Sequence, residues 1–408
     1  LKKIYFIFLT PLFMWGHTLN ELLDLSLQNR MVNAYQYNLE ALQYEYKGVK
    51  SSYYPSVDVG ASYSSTNKET ASVPDKGSQA YGKVSLTLFD GGKRENTFFK
   101  YQSDIKSSEQ TLNSVKNQIA LDVVTYYYNY LSLLAQQEAK QKEIEQLQAQ
   151  YKRLEKFFEV GSTTEDELQK IISRVQSSNV DLHEIELQLE TITHNLEYIT
   201  GQPVKIEAGA VLEAPKNNLT MNRADIKALE YDVEASDNAA DIEKGDYFPT
   251  ITLNDTYTYY DLKYENSAYE SSIDEQNVFS VNLTWNIFSF GETMNKTESK
   301  YKKYLSLKSQ YEYEKNRANV DLQLANRAYE IAKMKIKSAQ AGLEAAQTAY
   351  EVIKSKFQNG LIDNVAYLEA LTEKYDAIST LKAAKYDLEV KKATIFYHSG
   401  ENLKDYVQ

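Results

Sequence analysis

Phe89, Gly92, Phe158, Gly161 and Gly201 recur in the same order as Phe288, Gly291, Phe357, Gly360 and Gly400, and every pair is separated by the same 199 positions. A 408-residue chain with that property is one plan written twice. Upstream, Tyr54-Pro55-Ser56-Val57 matches Phe248-Pro249-Thr250-Ile251 at an offset of 194, so the second copy carries about five extra residues between the positions of Val57 and Phe89 and none over the next 112. A segment that tolerates no change of length is a rigid element matched to its twin, since loops drift. The two copies are placed at 17–221 and 222–408.

Residues 1–16 read differently. Leu1-Lys2-Lys3, then the apolar run Ile4 to Leu9 and Leu12-Phe13-Met14-Trp15-Gly16, have the charged and hydrophobic regions of a secretory signal peptide, with cleavage near Gly16-His17. The run is too short for a spanning helix, and no other stretch reaches the roughly 18 to 20 apolar residues such a helix needs. Zero cysteines exclude a disulfide framework and a lipid-bearing N-terminal cysteine. A net charge of −12 argues against nucleic-acid binding, which needs a basic face. The 34 tyrosines are the compositional anomaly, and rings with one apolar and one wet end suit side chains that meet both environments.

Four segments alternate with period two. Val57, Val59, Ala61 and Tyr63 are interleaved with Asp58, Gly60, Ser62 and Ser64, and Val84, Leu86 and Leu88 with Ser85 and Thr87. In the second copy Ile251, Leu253, Tyr257 and Tyr259 alternate with Thr and Asn, as do Phe279, Val281, Leu283, Trp285 and Ile287 with Ser280, Asn282, Thr284 and Asn286. These are strands of about nine to eleven residues, dry on one face, the length that crosses a bilayer at a tilt. Val57, Val59, Leu86, Leu253, Leu283 and Trp285 form the lipid-facing set. The hairpins, 56–89 and 250–288, are closed by long polar loops at Thr66–Gln79 and Asp261–Gln276, with aromatic residues at the opposite end. Four strands cannot close a membrane barrel, and open edges in lipid leave backbone groups unpaired at several kcal/mol each. Chains must therefore pool their strands, and three chains with twelve strands suit a channel better than two with eight.

The remainder reads as helix. Ile105, Leu112, Ile119, Tyr126, Leu133, Leu147 and Leu154 share one heptad register, interrupted at Lys140; Leu168, Val175, Leu182, Leu189 and Leu196 form another. In the second copy the stripe includes Ala318, Ala325, Ala332, Ala339 and Ala346, small residues that let two helix backbones approach. A helix from about Lys93 to Phe158 would be roughly 100 Å long. The helices expected at Thr164–Thr200 and Asn222–Asp246 could together run alongside it, and Asp363–Ser399 with Leu19–Ser52 would do the same for the second copy.

The Tyr/Phe-Pro step into each first strand (Pro55, Pro249), the Phe-x-x-Gly after each second strand (ending at Gly92 and Gly291), the Phe-x-x-Gly between helices (Phe158 to Gly161, Phe357 to Gly360) and Leu196-x-x-Ile-Thr-Gly-Gln-Pro203 occur in this order. Over essentially the whole mature chain this resembles the TolC family of outer-membrane efflux and secretion channels. The resemblance implies an α+β membrane protein of Gram-negative bacteria: a homotrimer whose twelve-stranded β-barrel sits in outer-membrane lipid and continues as a twelve-helix periplasmic tunnel. It implies a passive duct opened by a periplasmic adaptor protein and driven by an inner-membrane pump. The helix-hairpin tips Phe158, Gly161, Phe357 and Gly360 would contact the adaptor. By spacing from the tip glycines, Glu167 and Glu369 would occupy the acidic ring of the gate, with Asp166 and Asp363 as substitutes or helix caps. Ala366, Ile362 and Phe357 stand where the family carries an aspartate, a latch arginine and a tyrosine, so the gate is expected to rely on apolar packing.

No catalytic constellation or cofactor motif is present. His183 and His194 lie on one helix face but about 16 Å apart, too far to share a metal. There is no phosphate-binding glycine loop, nucleophile elbow or metalloprotease motif. The cargo stays open between small toxic compounds and unfolded protein of type I secretion, because the duct is common to both. A soluble exported coiled-coil protein is the alternative from another class, and the four alternating strands argue against it.

Overall fold

A computed structural model describes residues 16–216, 219–269 and 273–408. The expected signal peptide, apart from Gly16, lies outside them. Helices α1 (Leu19–Ser26) and α2 (Arg30–Ser52) lead into strands β1 (Ser56–Ser65) and β2 (Lys76–Phe89), then α3 (Lys93–Glu159) and α4 (Glu165–Thr200). The series continues with α5 (Ala224–Lys244), β3 (Thr250–Lys263), β4 (Glu275–Thr284), α6 (Glu292–Gln358) and α7 (Asn364–Ser399). Helices α3 and α6 both have 67 residues, and α4 and α7 both have 36. Among the described residues no helix is long and apolar enough to cross a membrane.

The chain divides into two compact units that cut across the duplicated plan: one of residues 35–111 and 225–315, the other of residues up to 34, 112–224 and 316–408. The first holds a single antiparallel sheet in the order β1-β2-β3-β4, so β1 and β4 are both edges. Its register sorts the side chains onto two faces. Val57 lies opposite Val84, Leu86 opposite Leu253, Leu253 opposite Val281 and Ile251 opposite Leu283, all on one face. Asp58 opposite Lys83, and Thr252 opposite Asn282, lie on the other. Toward the loop end the apolar face turns polar, with Lys76 opposite Lys263 and Ser78 opposite Asp261, and within its apolar stretch it carries an acid that the sequence pattern passes over. Asp255 stands between Val84 and Phe279, and its Oδ1 is buried with no hydrogen-bond partner among the described residues.

Several boundaries differ from the sequence expectation. β2 begins at Lys76 and β3 runs to Lys263, because these two inner strands pair with each other out to Lys76–Lys263, which shortens the loops to 66–75 and 264–274. β4 ends at Thr284, its last residue paired with β3, so Trp285 sits one residue past the strand, 52% exposed, its indole N–H donating to the Tyr247 carbonyl at 3.1 Å. Pro55 and Pro249 stand immediately before β1 and β3. Gly92 and Gly291 turn the chain into α3 and α6 with φ of 84° each, a conformation costly for other residues. The first of these turns is pinned: Lys93 pairs with Asp246, and Arg94 donates to the Thr87 carbonyl at 2.6 Å while lying over the Tyr53 ring.

In the second unit the N-terminal helix is two helices, not one. Asn29 breaks it by accepting from the Met31 N–H at 2.7 Å and donating to the Ile199 carbonyl at 2.8 Å, a local bond that competes with helix continuation. Thr18 and Glu21 form a reciprocal cap at the start of α1. The principal core gathers Leu19, Leu22, Val123, Val124, Tyr127 and Phe396. Between α4 and α5 the chain makes single bridges: Ile206 pairs with His17 and Leu212 with Val407. Tyr127, fully buried, donates to the Glu207 carbonyl at 2.9 Å and accepts from the Ala210 N–H at 3.3 Å. Tyr127→Phe removes two bonds to partly buried backbone groups, and we expect it to lower stability by about 0.5 to 1.5 kcal/mol, read as a reduced denaturation midpoint with unchanged secondary structure.

The heptad expectation holds unevenly. Ala318, Ala325, Ala332 and Ala346 are buried and Ala339 is half-buried, so the alanine stripe is a packing face, with Leu322, Ala325 and Tyr329 of α6 against Ile395 of α7. On α3, however, Ile119, Tyr126 and Leu133 are only half-buried, while Val124, Tyr128, Leu131, Ala135 and Ala139 are buried. A real helix drifts about 20° per heptad against a strict seven-residue repeat, so over 67 residues the packed stripe leaves any single register.

Candidate functional site: the helix-hairpin tips

Both hairpins turn through the same backbone device. The Ser162 N–H donates to the Phe157 carbonyl at 2.7 Å and Gly161 to Phe158 at 2.9 Å; Leu361 donates to Lys356 at 2.9 Å and Gly360 to Phe357 at 3.0 Å. This closure requires a left-handed residue, supplied by Gly161 (φ 71°) and Gly360 (φ 72°). Space is not the reason, since nothing lies within 4 Å of a Cβ built at either position.

Above the turns the two hairpins share a core of Leu147, Leu154, Ile171, Tyr350, Tyr367 and Leu371. Phe357 stacks on Tyr367, ring centres 4.7 Å apart, and the Arg153 guanidinium lies 5.4 Å from the centres of both Phe157 and Phe357. Arg153 thus joins the first hairpin to the tip of the second, a role nothing in its sequence neighbourhood signals. Gln150 Nε2 donates to Asn364 Oδ1 at 3.1 Å inside the same core. Phe158 is 41% exposed, and Val160 and Leu361 are each 72% exposed, so the tips present apolar side chains outward.

The four expected acids fall into two groups. Asp166 and Glu167 lie 3.0 and 3.8 Å from the Lys170 ammonium, and the Asp363 charge acts on the same lysine. The Thr164 hydroxyl and Lys170 hold the Asp166 carboxyl below its ordinary range. Asp363 caps α7, its Oδ1 accepting from the Ala366 N–H at 3.0 Å. Glu369 stands apart: it is exposed, on the side of α7 opposite Asn364, Tyr367, Leu368 and Leu371, with no hydrogen-bond or ion-pair partner among the described residues.

A second polar assembly lies about three to six turns up from the tips. Glu143 is 0% exposed yet charged by type. Its Oε2 meets Lys140 at 2.8 Å, and its Oε1 accepts from the Thr372 hydroxyl at 2.8 Å. Lys140 also meets Asp181 at 3.2 Å, and Arg174 donates to the Thr372 hydroxyl at 2.7 Å. Burial would lower the Lys140 pKa, but its bonds to Glu143 and Asp181 outweigh this and hold it above the ordinary lysine value. The assembly ties α3, α4 and α7 together. Nearby, Glu138 between Lys382 and Lys142 is held down at about 2. Among the described residues no three His, Cys or acidic side chains converge as a metal site.

A duplicated β-hairpin and long helical hairpin, in one chain with an uncovered four-stranded sheet, is the arrangement that comparison with known proteins recovers. The outer membrane efflux protein profile matches residues 22–202 and 217–400. The chain belongs to the outer membrane efflux protein family. Solved channels of this fold superpose over nearly the whole efflux protein. The transmembrane channel protein CusC is 17% identical with a TM-score of 0.84, covering 96% of this chain and 94% of its own. The outer membrane protein VceC of Vibrio cholerae is 17% identical at 0.85, covering 94% and 96%. The CmeC outer membrane channel of Campylobacter jejuni is 18% identical at 0.84, covering 94% and 85%. No curated protein sequence matches the chain. The fold of this efflux protein is therefore TolC-like, mostly helical with one four-stranded sheet.

Proposed function

We propose that the chain forms a homotrimeric, passive exit duct in the outer membrane of a Gram-negative bacterium, serving a tripartite pump that exports small toxic compounds. A periplasmic adaptor docks at the hairpin tips and an inner-membrane transporter supplies the energy. The observation that carries the reading is the sheet: an apolar face, a polar face and two unpaired edges, which lipid does not tolerate in a lone chain. The helices support it. On α6, Val320, Leu324, Ile331 and Met334 are exposed at spacings of four, seven and three, a coiled-coil seam separate from the buried alanine stripe. Val180 and Leu187, seven apart on α4, are equally exposed.

Detergent-extracted protein should have three times the chain mass, and deleting its gene should sensitise cells to toxic small molecules. Unaltered susceptibility together with loss of a secreted protein would reassign the cargo.

At the gate, Asp166 and Glu167 pair with Lys170 and Asp363 caps α7, which leaves Glu369 as the carboxylate free to face a threefold passage. Three such charges attract cations most strongly at low salt. Channels in planar bilayers should be cation-selective and blocked by trivalent cations from the periplasmic side, with block weakened in Glu369→Gln. Unchanged block would put Glu369 on the outer surface and leave the constriction to the apolar tips.

A further inference from the structure

Within one chain, the seam between the two copies of the plan is fully described. β2 of the first copy lies beside β3 of the second, with Lys83 opposite Thr256, Val84 opposite Asp255 and Leu86 opposite Leu253. β4 repeats β2 at an offset of 199, its first residue Glu275 answering to Lys76, and β3 repeats β1 at 194, Thr250 answering to Ser56. The free edge of β4 is thus the counterpart of the paired edge of β2, and the free edge of β1 that of β3. A closed ring of identical chains brings these free edges together.

We propose that β4 pairs with β1 of the next copy in the register of the β2–β3 seam: Asn282 opposite the next copy's Ser62, Leu283 opposite its Ala61, Trp285 opposite its Val59. This rests on the trimeric-barrel reading and deepens it to the level of residues. Three observations support the register. From Val281, opposite the next copy's Tyr63, to Trp285, apolar residues meet apolar and Asn282 meets Ser62, as a slip of one position would not allow. β2 continues past Ser85, its last residue paired with β1, to Phe89 because β3 holds Leu86, Thr87 and Phe89. The corresponding residues 285–288 lie outside any strand, with Ile287 80% and Phe288 71% exposed, and the missing partner is the one that the next copy's β1 supplies. Finally, Ser103 donates to Glu234 at 3.3 Å and Lys106 lies over Tyr231, within the chain. The same offsets bring Lys302 to the next copy's Glu40 and Leu305 to its Tyr37, an opposite-charge pair and an apolar neighbour for a ring now 67% exposed.

The correspondence breaks at the strand–helix junction, where the Lys93–Asp246 pair answers to Glu292 and the next copy's Ser52. Gly91 fits tightly against the Gly245 carbonyl, whereas its counterpart is Phe290, with φ of 50° and 91% exposed, so the junction between copies is looser there.

The absence of natural cysteines makes paired substitutions unambiguous. Directly opposed residues have Cβ atoms about 4.5 to 5.5 Å apart, within reach of a short thiol–thiol cross-linker. Asn282→Cys with Ser62→Cys, and independently Leu283→Cys with Ala61→Cys, should give a covalent trimer in denaturing gels. Asn282→Cys with Ser64→Cys or with Asp58→Cys should give several-fold less. A trimer by mass that links best through Ser64 or Asp58, or through none of the pairs, overturns the register and leaves the trimer standing. A monomer by mass in the untreated protein overturns the trimeric reading itself.

Discussion

Lys140→Met should destabilise the helical unit by about 3 kcal/mol, the largest loss expected from a single polar substitution outside the sheet. The reason is Glu143. With Lys140 gone, a carboxylate with no solvent access keeps only the Thr372 hydroxyl at 2.8 Å and the Arg174 guanidinium at 3.9 Å. Breaking a buried pair by removing one partner costs about 3 to 5 kcal/mol, and Arg174 places this case at the lower end. Removing both charges relieves most of the cost, so Lys140→Met combined with Glu143→Leu should recover more than half of the lost midpoint, a coupling that a double-mutant cycle reads directly. Equal losses in the single and double variants would show that packing, not charge, is responsible. The pH dependence follows from the raised Lys140 pKa. A cation whose pKa is higher in the fold contributes in full below its ordinary value, 10.5, and loses that contribution as pH rises through the folded value. The ammonium therefore confers no pH sensitivity near neutrality, and its loss appears only in alkali.

This assembly also marks where reading the sequence stops. The tip glycines, the ends of α4 and α7 and the starts of β1 and β3 follow from local chemistry that residues carry with them: a left-handed turn needs Gly161, a strand entry follows Pro55, and Asp363 caps. Burial of Glu143 does not. Its partners Thr372 and Arg174 lie on α7 and α4, far along the chain, and a glutamate three residues from Lys140 in a charged stretch of α3 has the pattern of a solvated face. Arg153 is hidden for the same reason, since its aromatic partner Phe357 is some two hundred residues away. Asn29 was invisible as a break because the apolar pattern continues on both sides of it. The end of β4 departs from the alternation for a physical reason. Alternation persists through Trp285 and Ile287, but a strand needs a partner as well as a pattern, and within one chain there is none past Thr284.

The second large effect concerns the two faces of the sheet. Leu253 lies inside the apolar set of β3, between Leu86 and Val281, and Leu283 lies opposite Ile251, two residues along. A lysine on the lipid side of a membrane barrel costs about 2 to 4 kcal/mol at the midplane and falls toward 0 to 1 near the interfaces. Leu253→Lys should therefore lose about 2 to 4 kcal/mol per chain and sharply reduce the protein assembled in the outer membrane. Leu283→Lys should lose a similar amount once 285–288 pair with the next copy, and Asn254→Lys, one residue along on the polar face, should assemble almost normally. Asp255 supplies the reverse experiment. It already places a carboxylate on the apolar face with one oxygen unpartnered, so Asp255→Leu should raise the unfolding midpoint of the reconstituted protein. Similar assembly of the lysine variants at 253 and 254 would mean that the two faces meet the same medium, and a lowered midpoint in Asp255→Leu would mean that this carboxylate has a partner in the assembled trimer.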